Sequence, residues 1–430
     1  MSAIHISREL LRAVARGEMS LLALADIGLN HLLSLCTTCE EELRAFEREI
    51  ASPLRFDSAL RIIPALLERH GPDEERMQAA AERDFQTLLE LPADRQLTRI
   101  RRSDQRFRGT LLARRLLDES KSQMTLDPVR AEEWARTAEV VLLRTPKRPG
   151  VDDLRALAAA YRANVARLQG NPDGARNGFI RARSIIRSAG VADPLIYAEI
   201  DSCEAVLARE LRDFEKAQEL LDRSISLYFL MKAREKAAHP LLTLGLLYSD
   251  LGDPHRAIDV TRMALRSMNA SQDHRLYTFA HLNLATYLCD AGFYSDSAEA
   301  LEEHRDLFRS LPERYFQIHI PWLEAKIARG TGGLEQAERL FLEVREEFVI
   351  HRQAYDAAMV SLDLALVYLE QGRTGELLRL AEEMHALFTA EEVHREALAA
   401  LLVFEEAARK EQLTAEAIRK LAALLKARSR

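Results

Sequence analysis

The sequence predicts an all-α fold, an extended array of helical hairpins preceded by a small helical domain. Three observations predict it. The 430 residues include only 17 Gly and 13 Pro amid much Ala, Leu, Glu and Arg, a composition that favours helix over sheet. The length exceeds what one core of ordinary size occupies. Above all, turn-like stretches return along the C-terminal two-thirds with a period near forty.

These stretches include LQGNPDGARNGF, SDLGDPHRAIDV, CDAGFYSDSAEAL and LEQGRTGELLRL. Aligned a few residues past each turn, they give Ala175, Ala217, Ala257, Ala298, Ala337, Leu377 and Ala417, with gaps of 42, 40, 41, 39, 40 and 40. A second register of small residues lies twelve or thirteen positions upstream, at Ala163, Ala205, Gly245, Ala285, Ala325 and Ala365; Glu405 breaks it. Small side chains on both helices of a hairpin let the backbones approach, while Leu, Tyr and Phe fill the space between hairpins. In LLTLGLLYSDLGDPHRAIDVTRMAL, one helix ends at Gly-Asp-Pro and the next begins with Pro254 in its first turn.

The LG-x2-Y core, the twelve-residue spacing of small positions and the turn before the second alanine resemble tetratricopeptide repeats over about residues 150 to 430. The period of about 40 is longer than the family's usual 34. The resemblance implies a right-handed α-solenoid of about seven or eight hairpins, a concave binding surface and a protein or peptide partner. Residues 151–430 form this solenoid, 111–150 a degenerate first repeat and linker ending in TPKRPG, and 51–110 a helical connecting segment. RKLAALLKARSR reads as a polar terminal cap.

The net charge of −7 is mixed in sign and argues against general nucleic-acid binding. No run approaches the roughly 18 apolar residues of a membrane span, and four cysteines, two of them isolated at Cys203 and Cys289, make no disulfide framework. A cytoplasmic protein is expected. So is the absence of catalysis: there is no phosphate loop, G-x-S-x-G or H-E-x-x-H, and FQIHIPW has no acid or nucleophile beside its histidine. Cys203 and Cys289 sit in repeat helices as inert thiols. Tyr248, Tyr287 and Tyr368 recur near the ends of first helices and read as packing.

Residues 95–115 hold eight arginines and one aspartate. Arg99, Arg101, Arg102, Arg106 and Arg108 form a possible basic partner patch. The other reading is an amphipathic helix whose arginine stems cover apolar surface and pair with acids such as Asp118 and Glu119.

The first fifty residues carry a separate constellation. Cys36 and Cys39 form a C-x2-C pair, His31 lies five residues before the first, and His5 lies 26 residues before His31. Two thiolates and two imidazoles make a complete tetrahedral Zn²⁺ set, a structural site with no position left for substrate water. Thr37 with Glu40, or Thr38 with Glu41, caps a following helix, whose N-terminus favours thiolate. Asp26 and Glu40 are reserve oxygen ligands. A metal-free redox pair, or ordinary residues at a helix end, are the alternatives.

The arrangement resembles the zinc-binding anti-sigma domain, with a distal His or Cys followed after about 25 residues by H-x3-C-x2-C. The resemblance makes His5, His31, Cys36 and Cys39 the ligands, residues 1–50 an anti-sigma-like domain and a sigma factor or similar regulator its partner. Four residues instead of three separate His31 from Cys36. A plain scaffold for complex assembly, with no sigma-factor role, is the other expectation.

Overall fold

The computed structural model describes residues 72–103, 106–147, 150–189, 193–269, 273–311, 313–390 and 414–426. The zinc set His5, His31, Cys36 and Cys39, together with Asp26 and Glu40, lies outside the described residues. The described residues are helical throughout, apart from turns and one 3₁₀ segment, Arg234–Ala237. They divide into two compact units, one through Pro240 and one from Leu241. No described helix is long and apolar enough to cross a membrane.

The first unit holds α1 (Pro72–Leu89), α2 (Ala93–Arg102), α3 (Thr110–Gln123), α4 (Pro128–Leu143), α5 (Val151–Leu168), α6 (Pro172–Ala189), α7 (Pro194–Glu210) and α8 (Phe214–Leu230). From α3 onward they pair as hairpins α3/α4, α5/α6 and α7/α8. Phe85, Phe107, Trp134, Tyr161 and Phe179 anchor their shared core. Two described helices already precede residue 111. Of these, α1 packs on α3 and α2 packs on α4.

The second unit takes α9 (Ala238–Asp250, which begins at the boundary), α10 (Pro254–Ser267), α11 (His274–Asp290), α12 (Tyr294–Glu303), α13 (Arg305–Arg309), α14 (Arg314–Gly330), α15 (Leu334–Ile350), α16 (Ala354–Glu370), α17 (Thr374–Ala390) and α18 (Ala415–Lys426). In the fifth hairpin the second helix is interrupted at His304, whose ring Nδ1 lies 3.1 Å from the Ala300 carbonyl. Where ordinary hairpins carry one continuous helix, this one carries α12 and α13.

One turn recurs after six first helices, and again after α8 at Lys232 and α15 at Arg352. The first helices α5, α7, α9, α11, α14 and α16 are followed by a residue with positive φ at Gly170, Arg212, Gly252, Gly292, Gly332 and Gly372. That residue's N–H reaches three residues back, and the next N–H reaches five back: Gly252 to Ser249 and Asp253 to Tyr248, at 3.0 and 2.9 Å. This is the Schellman closure, which satisfies two orphan carbonyls and needs a left-handed residue, hence glycine. Asp213 and Asp253 then cap α8 and α10, and Asp127, Asp193 and Asp273 cap α4, α7 and α11, each by accepting a backbone N–H bond of 2.8–3.3 Å. Pro128, Pro194 and Pro254 fill the first helical position, where no N–H is needed.

Arg212 is the one non-glycine among the six. Arg212→Gly is expected to stabilise the chain by up to about 1 kcal/mol, because relief of left-handed strain exceeds the entropy cost of glycine. It gives up the Arg212 guanidinium that lies 4.4 Å above the Phe214 ring. A urea titration of both proteins checks this, and a lower midpoint for the glycine variant would contradict it.

The small-residue registers are real packing features, with two corrections. Ala163, Ala205, Ala285, Ala325 and Ala365 are buried, as are Ala175, Ala217, Ala257 and Ala337. A Cβ on Gly178 would stand 2.6 Å from the Cβ of Ala163, and one on Gly245 would stand 2.8 Å from the Thr261 Oγ1, so the paired helices touch through these positions. Ala298, however, is exposed, and the buried position is Ser297. With Ser297 the uneven gaps of 41 and 39 become 40 and 40. Its hydroxyl donates to the Ala285 carbonyl at 2.7 Å, which lets a polar residue occupy an alanine site. In the last repeat Ala417 is likewise exposed, and Ile418 takes the buried place.

Candidate functional site: the faces of the first helices

In each unit the first helices of successive hairpins lie side by side, and their polar residues pair across the gap. In the first unit these helices are α3, α5 and α7. Glu199 on α7 accepts from Lys121 Nζ of α3 and from Tyr161 Oη of α5, both at 2.5 Å. Arg167 of α5 pairs with Glu210 of α7 at 2.5 Å, and Arg114 of α3 lies 3.5 Å from Asp193. The Asp193 N–H donates in turn to Asp153 at 3.0 Å.

Charge and burial compete at this cluster. Burial opposes the ionisation of Glu199, but Lys121's charge and hydrogen bond, the Tyr161 hydrogen bond and the Arg114 charge outweigh it and hold the carboxyl below its usual range. Burial, reinforced by Glu199, pushes the Tyr161 hydroxyl well above its ordinary value and the neighbouring Cys203 thiol up to about 12. Cys203 is therefore a protonated thiol at neutral pH and a poor nucleophile. The result is an ionised carboxylate set between a cation and a neutral phenol.

The second unit repeats the scheme with other residues, on α11, α14 and α16. Trp322, Lys326 and Arg329 stand at i, i+4 and i+7 of α14 and share one face. Trp322 Nε1 donates to Asp363 of α16 at 2.8 Å, and Arg329 pairs with Glu370 of α16 at 3.0 Å. Lys326 reaches back to Asp290 of α11 at 2.5 Å. Burial would lower the Lys326 ammonium, but Asp290 and Asp363 raise it above its ordinary value. Burial pushes the Cys289 thiol up to about 11.

His319 of FQIHIPW sits beside this row among Tyr315, Trp322 and Phe348, at ring separations of 4.0, 5.6 and 6.1 Å. Burial pushes its imidazole down to about 4, so it is a neutral packing group at pH 7. Tyr287 and Tyr368 are buried, and Tyr248 is half-buried.

The arginine run divides in two. Arg115 pairs with Glu82 and Glu119, both at 3.1 Å, and covers the Phe85 ring at 3.7 Å. Arg106 is exposed but bonds Asp84 at 2.6 Å and Thr87 at 2.9 Å. Arg99, Arg101 and Arg102, on α2, project to solvent, as does Arg108 beyond the helix. The inter-helix pairs of the two faces were not foreseen from the sequence. Their separations carry a signal: 41 residues for Trp322 and Asp363, 41 for Arg329 and Glu370, 36 for Lys326 and Asp290 and 38 for Tyr161 and Glu199. Complementary groups about one period apart meet when hairpins stack.

No protein-family model matches the chain, and no curated protein matches it. Among solved structures, the Rap protein complexed with competence and sporulation factor is similar at 12% identity and a TM-score of 0.57, over 74% of this chain and 87% of that one. The apo form of RapI is similar at 12% identity and 0.53 over the same shares. A signal transduction ATPase with a tetratricopeptide repeat sensor, from Pyrococcus horikoshii, is similar at 13% identity and 0.51, over 99% of this chain and 66% of that one. These likenesses establish the fold: the chain is a tetratricopeptide-like helical solenoid.

Proposed function

We propose that the chain is a non-enzymatic regulatory or adaptor protein that holds a protein or peptide partner along the faces of its first helices. The observation that carries this reading is the row of charged and aromatic groups that pair across neighbouring first helices. A partner that offers its own carboxylates and ammonium groups exchanges with these pairs at little net cost, because buried ion pairs are worth little over their desolvation. Two features favour binding over turnover: the thiols of Cys203 and Cys289 stay protonated, and the ionised groups of both faces are committed to one another. The Rap protein solved with competence and sporulation factor has this fold, which makes a bound partner a natural model for this chain.

The N-terminal residues extend the proposal. His5, His31, Cys36 and Cys39 hold a structural zinc ion, and residues 1–50 sequester a sigma factor or similar regulator in the cytoplasm. Occupation of the solenoid alters that hold by two-state competition. The support is the ligand spacing.

Two measurements test these readings. Protein purified without chelators should carry about one zinc ion per chain by elemental analysis, falling to background in the Cys36→Ser, Cys39→Ser variant. A zinc-free wild type would remove the metal from the proposal. For the partner, affinity capture from the native cells is compared between the full chain, the chain lacking residues 1–50, Lys121→Glu and Glu370→Lys. The two charge reversals should each weaken solenoid binding by roughly tenfold. A main partner lost only with residues 1–50 supports the sigma-factor reading. One retained without them and lost on charge reversal supports a scaffold, and retention by all variants refutes both.

A further inference from the structure

The interrupted helix of the fifth hairpin opens a cavity that the first-helix faces do not account for. Its volume is ≈ 390 Å³, within the range of about 300–1,000 Å³ that ligand pockets occupy. Leu301, Phe308, Leu311, Phe316 and Ile320 make an apolar floor. Around them stand Arg305, Arg309, Gln317, Pro321 and Glu324, all within the second unit.

Two features give the cavity a chemical preference. Pro321 lies inside α14 and has no N–H, so the Gln317 carbonyl four residues earlier loses its helical partner. Gln317 and Pro321 both line the cavity, so this acceptor, outside the helical ladder, belongs to a residue of its wall. The cations differ in commitment. Arg305 is held 2.7 Å from Glu302 and 3.7 Å from Glu324, so the Glu324 charge is offset. Arg309 is 69% exposed, pairs loosely with the fully exposed Asp306 at 3.7 Å and feels the charge of the exposed Glu302, so its guanidinium is the more open of the two to an incoming anion.

An apolar floor, an N–H acceptor and an exposed, loosely paired guanidinium complement one arrangement of groups: a large apolar side chain flanked by a peptide N–H and an α-carboxylate. We infer that this cavity binds the C-terminal residue of a peptide or protein that ends in Phe, Leu or a similar apolar side chain. The carboxylate pairs with Arg309, the final amide N–H donates to the Gln317 carbonyl, and the side chain fills the floor. This deepens the partner-binding reading, on which it rests, and assigns it a second contact away from the paired rows.

The test uses the purified full chain and synthetic peptides, so its outcome is independent of the cellular partner and of residues 1–50. Isothermal titration compares Gly-Ala-Ala-Phe with a free C-terminus, the same peptide amidated, and phenylpropionate, which keeps ring and carboxylate but lacks the N–H. The free peptide should bind about fivefold to tenfold more tightly than either. Arg309→Gln should remove the advantage over the amide while leaving the amide's affinity unchanged; this exposed substitution leaves the core intact. Ile320→Trp, with folding verified by circular dichroism, should block all three probes by filling the floor. Equal binding of free and amidated peptide refutes the carboxylate contact, and phenylpropionate as tight as the peptide refutes a peptide terminus in favour of a simple carboxylate. Unchanged binding to folded Ile320→Trp refutes the cavity.

Discussion

Asp201→Ala is expected to destabilise the first unit by about 3–5 kcal/mol. Asp201 is fully buried on α7, where it accepts from Arg183 of α6 and, at 2.6 and 3.0 Å, from Arg223 of α8. Both guanidiniums lie over the Tyr197 ring, at 5.2 and 5.3 Å. Removal of the carboxylate leaves two largely buried cations facing each other, with Arg183 keeping Glu204 at 2.7 Å and Arg223 keeping only the exposed Glu219 at 3.6 Å. Coulomb repulsion and lost hydrogen bonds both act against the fold. Urea unfolding followed by circular dichroism measures the loss. The combined Arg183→Met, Asp201→Leu, Arg223→Met variant should recover most of it, since apolar groups of similar volume carry no desolvation cost. A single variant within about 1 kcal/mol of wild type would show that solvent reaches the cluster.

The second large effect is a loss of stability in acid. His281 is 9% exposed, its Nε2 has no hydrogen-bond partner, and its ring stacks on His304 at 3.6 Å. Burial first, and the like charge of His304 second, push its imidazole down to about 4. The sign follows from proton binding. Below an ordinary value near 6.5 the unfolded chain takes up a proton that the folded chain refuses until about pH 4, so stability is full above 6.5 and falls as the pH drops. His281 alone should remove about 2 kcal/mol between pH 7 and pH 5. His319, pushed down to about 4 by burial, acts in the same direction. Urea unfolding of the wild type and His281→Phe at both pH values tests this. The variant should show a visibly smaller loss, and an identical loss in both would place the acid sensitivity elsewhere.

The hairpin array is legible in the sequence, because its local requirements are written in residue types. A Schellman closure needs a left-handed residue, so glycine recurs at Gly252, Gly292, Gly332 and Gly372, and after Gly252 the next helix takes its cap from Asp253 and its first position from Pro254. In the fifth hairpin the register departs for a reason of the same kind. Alanine was the expected signature of close approach, but Ser297 is almost as small and satisfies its hydroxyl on the Ala285 carbonyl, so the exposed Ala298 beside it drew the alignment.

The candidate site was much less legible. Lys326 and Asp290, or Tyr161 and Glu199, are ordinary helix residues when taken one at a time, and only the stacking of first helices brings each pair to 2.5 Å. The arginine run shows the same limit, since residue type alone does not separate Arg115, closed between Glu82 and Glu119, from Arg99 in solvent.

The sequence by itself determined the helical class, the repeat near forty, the turn chemistry and the small residues that set helix approach. All of these depend on backbone conformation or on neighbours within one hairpin. Tertiary structure alone decided which charges pair, which histidines are kept neutral and where the broken α12/α13 helix leaves a cavity. Those properties depend on burial and on contacts across hairpins, where desolvation and distance, not residue type, set the energy.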